Sequence, residues 1–147
     1  MLPTCRKGLD LTAVARNLKM ARNLYATRSR EQITRLLRTE RRYLSATAIH
    51  RLLRSLGSEV SLSTVYRTLE LLVSLGVASS RPDEDGEQTY VFCTTDHHHH
   101  AICRKCGHVE EVGCAATEAF AEILRRHHAF ELDAHSVEFY GRCARCQ

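Results

Sequence analysis

SLSTVYRTLELLVSLG (61–76) is the stretch on which the fold turns. Ser61 is a good helix N-cap, and Gly76 supplies a stop at the other end. Val65, Leu69 and Leu72 recur at i, i+4 and i+7, the stripe of a half-buried helix. The opposite face carries Ser63, Arg67 and Glu70, flanked by Thr64 and Tyr66. A recognition helix offers such short polar, aromatic and basic side chains to the major groove. A surface helix of incidental polarity reads the same way, so this face alone does not decide the matter.

Outward from this helix, two more precede it. Ser29-Arg30-Glu31-Gln32 reads as a capping box opening a helix with Ile33, Leu36 and Leu37 inward. Ser45 caps a second helix carrying Ile49, Leu52, Leu53 and Leu56, ended by Gly57. Downstream, Val77–Ser80 and Thr89–Cys93 flank the turn Asp83-Glu84-Asp85-Gly86. Asp-Gly between two short apolar runs is a hairpin signal. Three helices followed by a β-hairpin make a winged helix-turn-helix. Before them, Leu11, Val14, Ala15 and Leu18 recur at helical spacing, Cys5 has no assigned part, and Met20 is an alternative start.

Charge divides the 147 residues in the same place. Residues 1–82 hold 15 bases against 5 acids, a net of +10; residues 83–147 hold 6 against 12, a net of −6. A basic front half is the footprint of a polyanionic partner, since each base laid on a phosphate releases a counterion. It also fits an arginine-rich solvated face. No run of about 18 apolar residues exists to span a membrane, and no signal peptide opens the chain. These features imply a cytoplasmic protein.

Six of the seven cysteines lie at or beyond position 93 and eight of the nine histidines at or beyond 97. An odd number of cysteines without a secretion signal points to metal ligation and away from a disulfide framework. Around them, Ala101-Ile102 and Val109–Val112 read as short strands. Thr117–His128 reads as a helix with Phe120, Ile123, Leu124 and His127 on one face, and Glu131–Tyr140 as a strand. A unit of about 50 residues is marginal without a metal or a partner chain.

Cys103-x-x-Cys106 and Cys143-x-x-Cys146 present four thiolates, the donor set of a structural zinc. The spacer of 36 residues is no obstacle, because loop-closure entropy grows slowly with length. Redox C-x-x-C pairs and an iron–sulfur site are the other readings of such cysteines. In His97-His98-His99-His100, alternation in extended chain sends His98 and His100 one way and His97 and His99 the other. With Cys93 a few residues earlier, the pair forms a candidate second zinc site. The metalloprotease and deaminase signatures of a catalytic zinc are absent, so the chain reads as a non-enzyme.

Three motifs, SLSTVYRTLELL (61–72), HHHHAICRKCG (97–107) and HSVEFYGRCARC (135–146), in this order resemble the ferric uptake regulator family. The resemblance covers about residues 27–147. It implies a dimeric, metal-dependent bacterial transcription factor of α+β class. The implied organisation is an N-terminal extension (1–26), a winged-helix DNA-binding domain (27–93), a hinge (94–97) and a small α/β dimerisation domain (98–147) holding the four-cysteine zinc.

Cys93 makes the chain similar to the zinc uptake regulator branch, which places a metal-binding cysteine at the end of the wing; iron-sensing members have Asp where His99 stands. The resemblance implies a sensing zinc on Cys93, His98, His100 and Glu111. Some zinc regulators use Asp at the position of Ser79, which as a serine is a poor ligand, and Glu111 takes that part here. It implies a further site on His97, His99, Glu118 and His135. Tyr66 and Arg67 match the family's DNA-contacting pair, with Ser63, Thr64 and Arg81 as further contacts. The resulting expectation is a homodimeric, zinc-responsive repressor that binds operator DNA upstream of zinc uptake genes. An iron- or peroxide-sensing regulator of the same family is the alternative within that class, and a zinc-storage or metal-delivery protein is the alternative outside it. Cys114 has no implied role beyond a small free or buried thiol.

Overall fold

The computed structural model describes residues 27–94, 98–132 and 136–147, without the side chain of Ala116. The expected helix within 1–26, with Cys5 and Met20, lies outside the described residues, as do His97 and His135. The chain divides into two compact units, one ending at Thr94 and the other running to Gln147.

In the first unit, helix α1 spans Arg28–Glu40, with Ile33, Leu36 and Leu37 buried. Its cap corrects the expected box at Ser29. Thr27 takes extended backbone and its side chain accepts a hydrogen bond from the Arg30 amide. The first helical bond already runs from Glu31 to the Thr27 carbonyl. Ser29 therefore sits inside the first turn, where its backbone is helical and cannot cap.

Strand β1 (Leu44–Ser45) leads into helix α2 (Ala46–Ser55), and Ser45 Oγ accepts from the Ala48 amide as the sequence predicts. Helix α3 spans Leu62–Ser74, and Ser61 Oγ accepts from the Thr64 amide. Both helices end alike. After α2, Gly57 and Ser58 donate to the Arg54 and Leu53 carbonyls; after α3, Gly76 and Val77 donate to those of Val73 and Leu72. This double closure requires a left-handed residue at the turn, which glycine adopts without steric cost (φ 79° and 70°). It also turns Leu56 out: the side chain expected in the apolar stripe is 73% exposed, because Leu56 is the cap beyond the last helical turn.

Val65, Leu69 and Leu72 of α3 are fully buried against Ile33 and Leu37 of α1 and Ile49 and Leu53 of α2, in one core. Strands β2 (Ala78–Pro82) and β3 (Gln88–Phe92) form the expected wing, and β1 adds a third strand in the order β1-β3-β2. In the wing turn, Asp83 Oδ1 accepts from the amides of Asp85 and Glu87. Three helices and a wing thus match the predicted winged helix-turn-helix.

The second unit holds the sheet β5-β4-β6. Strand β4 (His98–Cys103) pairs antiparallel with β5 (Val109–Gly113) and parallel with β6 (Glu138–Gly141). Helix α4 (Ala115–His128) follows β5. The strand expected over 131–140 is shorter. Glu131, Leu132, Ser136 and Val137 lie outside any strand, and pairing begins only at Glu138, opposite His100. The Phe120 and Ile123 face of α4 is exposed in the single chain. Among the described residues, no helix is long and apolar enough to cross a membrane.

Candidate metal centres and nucleic-acid interface

The four-cysteine group is assembled by strand pairing. Cys103 ends β4, and Gly107, at φ 73°, donates to its carbonyl at 2.8 Å, closing a turn that carries Cys106. The parallel partner β6 sets Gly141 opposite Cys103, and the Arg104 amide donates to the Gly141 carbonyl at 2.9 Å. The chain then enters a short 3-10 turn, Ala144–Cys146, in which the Cys146 amide donates to the Cys143 carbonyl. The 36-residue spacer is thereby bridged, and the two C-x-x-C hooks form one cluster.

The sulfurs of Cys103, Cys106, Cys143 and Cys146 lie within 4.8 Å of one another, with Cys106 Sγ 3.7 Å from Cys143 Sγ. Zinc–sulfur bonds of about 2.3 Å at tetrahedral angles place sulfurs about 3.8 Å apart, so the donors fit zinc. Hydrogen bonds from the backbone at Cys143 and Cys106 hold the Cys103 thiol down at about 5. Side-chain hydrogen bonds with Cys106 and Cys143 push Cys146 up to about 12. Four sulfurs this close do not all ionise unless a cation shares their charge.

The histidine run lies in β4 from His98 onward, and the predicted alternation holds. His98 and His100 share a face, their Nε2 atoms 3.0 Å apart. Two imidazole nitrogens on one zinc stand about 3.3 Å apart, so the pair is set close to bidentate spacing. His98 Nδ1 is buried without a hydrogen-bond partner among the described residues. Glu111, half-buried, stands directly opposite His100 in the antiparallel register, which puts it on the same face of the sheet. Cys93 closes the first unit. Its amide donates to the Val77 carbonyl at 2.9 Å, and the residue is buried.

His99 faces the other way and is only 3% exposed. Its Nε2 lies 3.2 Å from Cys114 Sγ and 3.4 Å from Thr117 Oγ1, and its ring meets Phe139 edge-on. Cys114, to which the sequence assigns no role, is thus a soft donor within hydrogen-bond distance of His99. Its place immediately before α4 was the available signal. Glu118, in the first turn of α4, is exposed.

On α3, Ser63, Tyr66 and Arg67 are exposed and Thr64 is half-buried, so all four keep the outward placement the periodicity predicts. Arg67 Nε donates to the Ser63 carbonyl at 3.3 Å, which lays the guanidinium along the helix. In the wing, the Arg81 guanidinium stacks over the Tyr43 ring at 4.3 Å. Such a stack orders a flexible cation while leaving its charge intact.

The model of the ferric uptake regulator family matches residues 21–140. The zinc uptake regulation protein of Mycobacterium tuberculosis is 38% identical over 127 residues, which cover 86% of this chain and 98% of that protein. The ferric uptake regulation protein of Bacillus subtilis is 37% identical over 124 residues, 82% and 83% of the two chains. Among solved structures, FurB from M. tuberculosis, a zinc uptake regulator, aligns with a TM-score of 0.50 at 38% identity, covering 87% of this chain and 99% of that one. With its winged helix-turn-helix and its cysteine and histidine clusters, the chain belongs to the ferric uptake regulator family of metal-responsive, DNA-binding transcription regulators.

Proposed function

We propose that the protein is a homodimeric, zinc-sensing repressor of zinc uptake genes. The observation that carries the reading is the pair of imidazole nitrogens, His98 and His100 Nε2, 3.0 Å apart on the strand that begins five residues after Cys93. Thiolate and imidazole together form a soft donor set that suits zinc better than the harder carboxylate sets that suit manganese. The zinc-named relative at 38% identity supports the same metal.

In this reading Cys93, His98, His100 and Glu111 hold the sensed ion. Bound there, it ties the end of the wing to the first strand of the second unit across residues 94–97. Cys103, Cys106, Cys143 and Cys146 hold a structural zinc, and His97, His99, Glu118 and His135 a further one. Residues 27–93 are the DNA-binding domain and 98–147 the dimerisation domain, whose partner covers the exposed Phe120 and Ile123. Ser63, Thr64, Tyr66 and Arg67 face the major groove, and Arg81 reaches the DNA from the wing.

Metal control then follows from linkage. A ligand set drawn from both sides of a hinge binds the ion only when the hinge brings those sides together, so binding shifts the population toward that arrangement. A complete switch requires a preference of about 10⁴-fold, roughly 5.5 kcal/mol, on the scale of metal–ligand bonds. The 37% identity to an iron-named relative gives the iron-sensing alternative its weight. Operator binding by the purified protein, titrated separately with zinc, ferrous iron and manganese, decides between them. Tighter binding with zinc at the lowest free-metal concentration is expected; a response to iron alone refutes the proposal.

A further inference from the structure

Arg81 is the one proposed DNA contact that lies in the wing, and a contact across the sheet holds its side chain. Leu44 pairs with Tyr90 and both join the helical core, so that face of the sheet points inward. Ser45 and Arg81 both pair with Thr89, which puts these three on the opposite, outward face. Tyr43, two residues before Ser45, shares that face. From there its ring meets the Arg81 guanidinium, whose carbon stands 4.3 Å from the ring centre. Since β3 lies between β1 and β2, the stack ties the two edges of the sheet together over the central strand. Tyr43 and Arg81 are half-buried, and the outward residues of β3, Thr89 and Val91, are buried.

Local structure sets both partners. The chain leaves α1 through Arg41, which takes the left-handed region (φ 46°, ψ 44°) that residues with a side chain rarely adopt. That turn ends α1 and brings Tyr43 to the start of β1. On the other edge, Thr89 Oγ1 donates to the Arg81 carbonyl at 2.8 Å and fixes the backbone from which the guanidinium projects. A guanidinium resting on an aromatic ring uses its flat face, whereas its N–H donors lie in its plane and stay available to a phosphate oxygen. An arginine loose in solvent loses much of its rotamer freedom when it closes on a phosphate. One already held on a ring has given up part of that freedom beforehand.

We infer that Tyr43 is a positioning residue for operator binding: its ring holds Arg81 in the pose in which Arg81 meets the DNA. The inference rests on the proposed contact of Arg81 with DNA and adds to it a residue that acts through Arg81 alone.

The test is a double-mutant cycle on the full-length, zinc-loaded protein. Binding is read by fluorescence anisotropy with a labelled duplex that the unmutated protein has selected from a random pool. Arg81→Ala is expected to weaken binding and to lower the salt slope by about one. Tyr43→Leu and Tyr43→Met, which fill the space without a ring, are expected to weaken binding about two- to fivefold, the scale of a partly exposed cation–π contact. Their salt slope should stay that of the unmutated protein, because the charge is still present. Tyr43→Phe keeps the ring and should restore binding. In the Arg81→Ala background, removing the ring should cost nothing further. Zinc content and melting temperature report that each variant is folded. Ring-less variants that bind as the unmutated protein does overturn the inference and leave the Arg81 contact standing. An equal loss with Arg81 already removed shows that Tyr43 acts by another route, and a loss at Tyr43→Phe as large as at Tyr43→Leu puts the effect on the hydroxyl; either result refutes the inference. Arg81→Ala without effect on binding overturns both the contact and the inference.

Discussion

Replacing Cys143 by Ser, or stripping the four-cysteine metal with a strong chelator, is expected to unfold one half of the chain and spare the other. The two units bury very different amounts of apolar side chain. The first has a core of 14 buried apolar residues spread over α1, α2, α3 and its sheet. In the described part of the second, the buried apolar set is Ile102, Cys103, Val109 and Cys146, and two of these four are themselves cysteines of the cluster. A side chain of that kind contributes about 1.5–3 kcal/mol on burial, so the second unit has little to hold it without the ion. A structural zinc contributes on the order of 10 kcal/mol of folding free energy. Its loss therefore takes away more stability than the few buried side chains can restore.

The helices make the outcome measurable. The first unit holds helices of 13, 10 and 13 residues and the second one of 14, so 36 described helical residues stand against 14. After Cys143→Ser, about seven-tenths of the far-ultraviolet helical signal is expected to remain, since the 14-residue core lies wholly within the first unit. That remainder should melt in one transition near that of the untreated first unit. Sedimentation should show loss of the proposed dimer, because the second unit carries the exposed Phe120 and Ile123. Retention of the full signal with an intact, zinc-responsive dimer would refute the structural role. Loss of the whole signal in one step would refute the independence of the first unit.

Other outcomes follow from single side chains. Cys93→Ser is expected to lower bound zinc by one equivalent per chain and leave operator affinity low and nearly zinc-independent, with dimerisation unchanged; a titration that overlays the unmutated protein defeats the hinge site. Arg67→Ala is expected to weaken operator binding with fold and metal content intact, and the salt dependence of binding should flatten by about one unit of slope if the guanidinium meets a phosphate. Leu53→Ala is expected to cost about 2–5 kcal/mol in chemical denaturation. Leu56→Ala, three residues on but exposed, is expected to stay within about 0.5 kcal/mol. Equal losses at the two positions would contradict the cap geometry that turns Leu56 outward.

That last contrast shows what the sequence carries and where it stops. Periodicity places Val65, Leu69 and Leu72 in the core because three side chains on one helical face are buried or exposed together. It fails at Leu56, since the stripe continues in sequence while the helix has already ended. Thr27 and Ser29 are both competent caps by residue type. The choice between them lies in which one has extended backbone, and neighbouring letters do not encode that. Alternation sorted His98 and His100 from His99 because it needs only an extended chain. It could not find the partner across the sheet. Glu111 opposite His100, Gly141 opposite Cys103, and Cys114 against His99 are all products of register and of where α4 begins. A two-residue strand such as β1, or a four-residue parallel strand such as β6, leaves no local period to read. The donor types of the candidate metal centres are therefore legible from spacing, whereas the groupings of those donors come from long-range pairing. Cys114 is the sharpest instance: as a letter it is a small thiol before a helix, and only the fold turns it toward a buried imidazole.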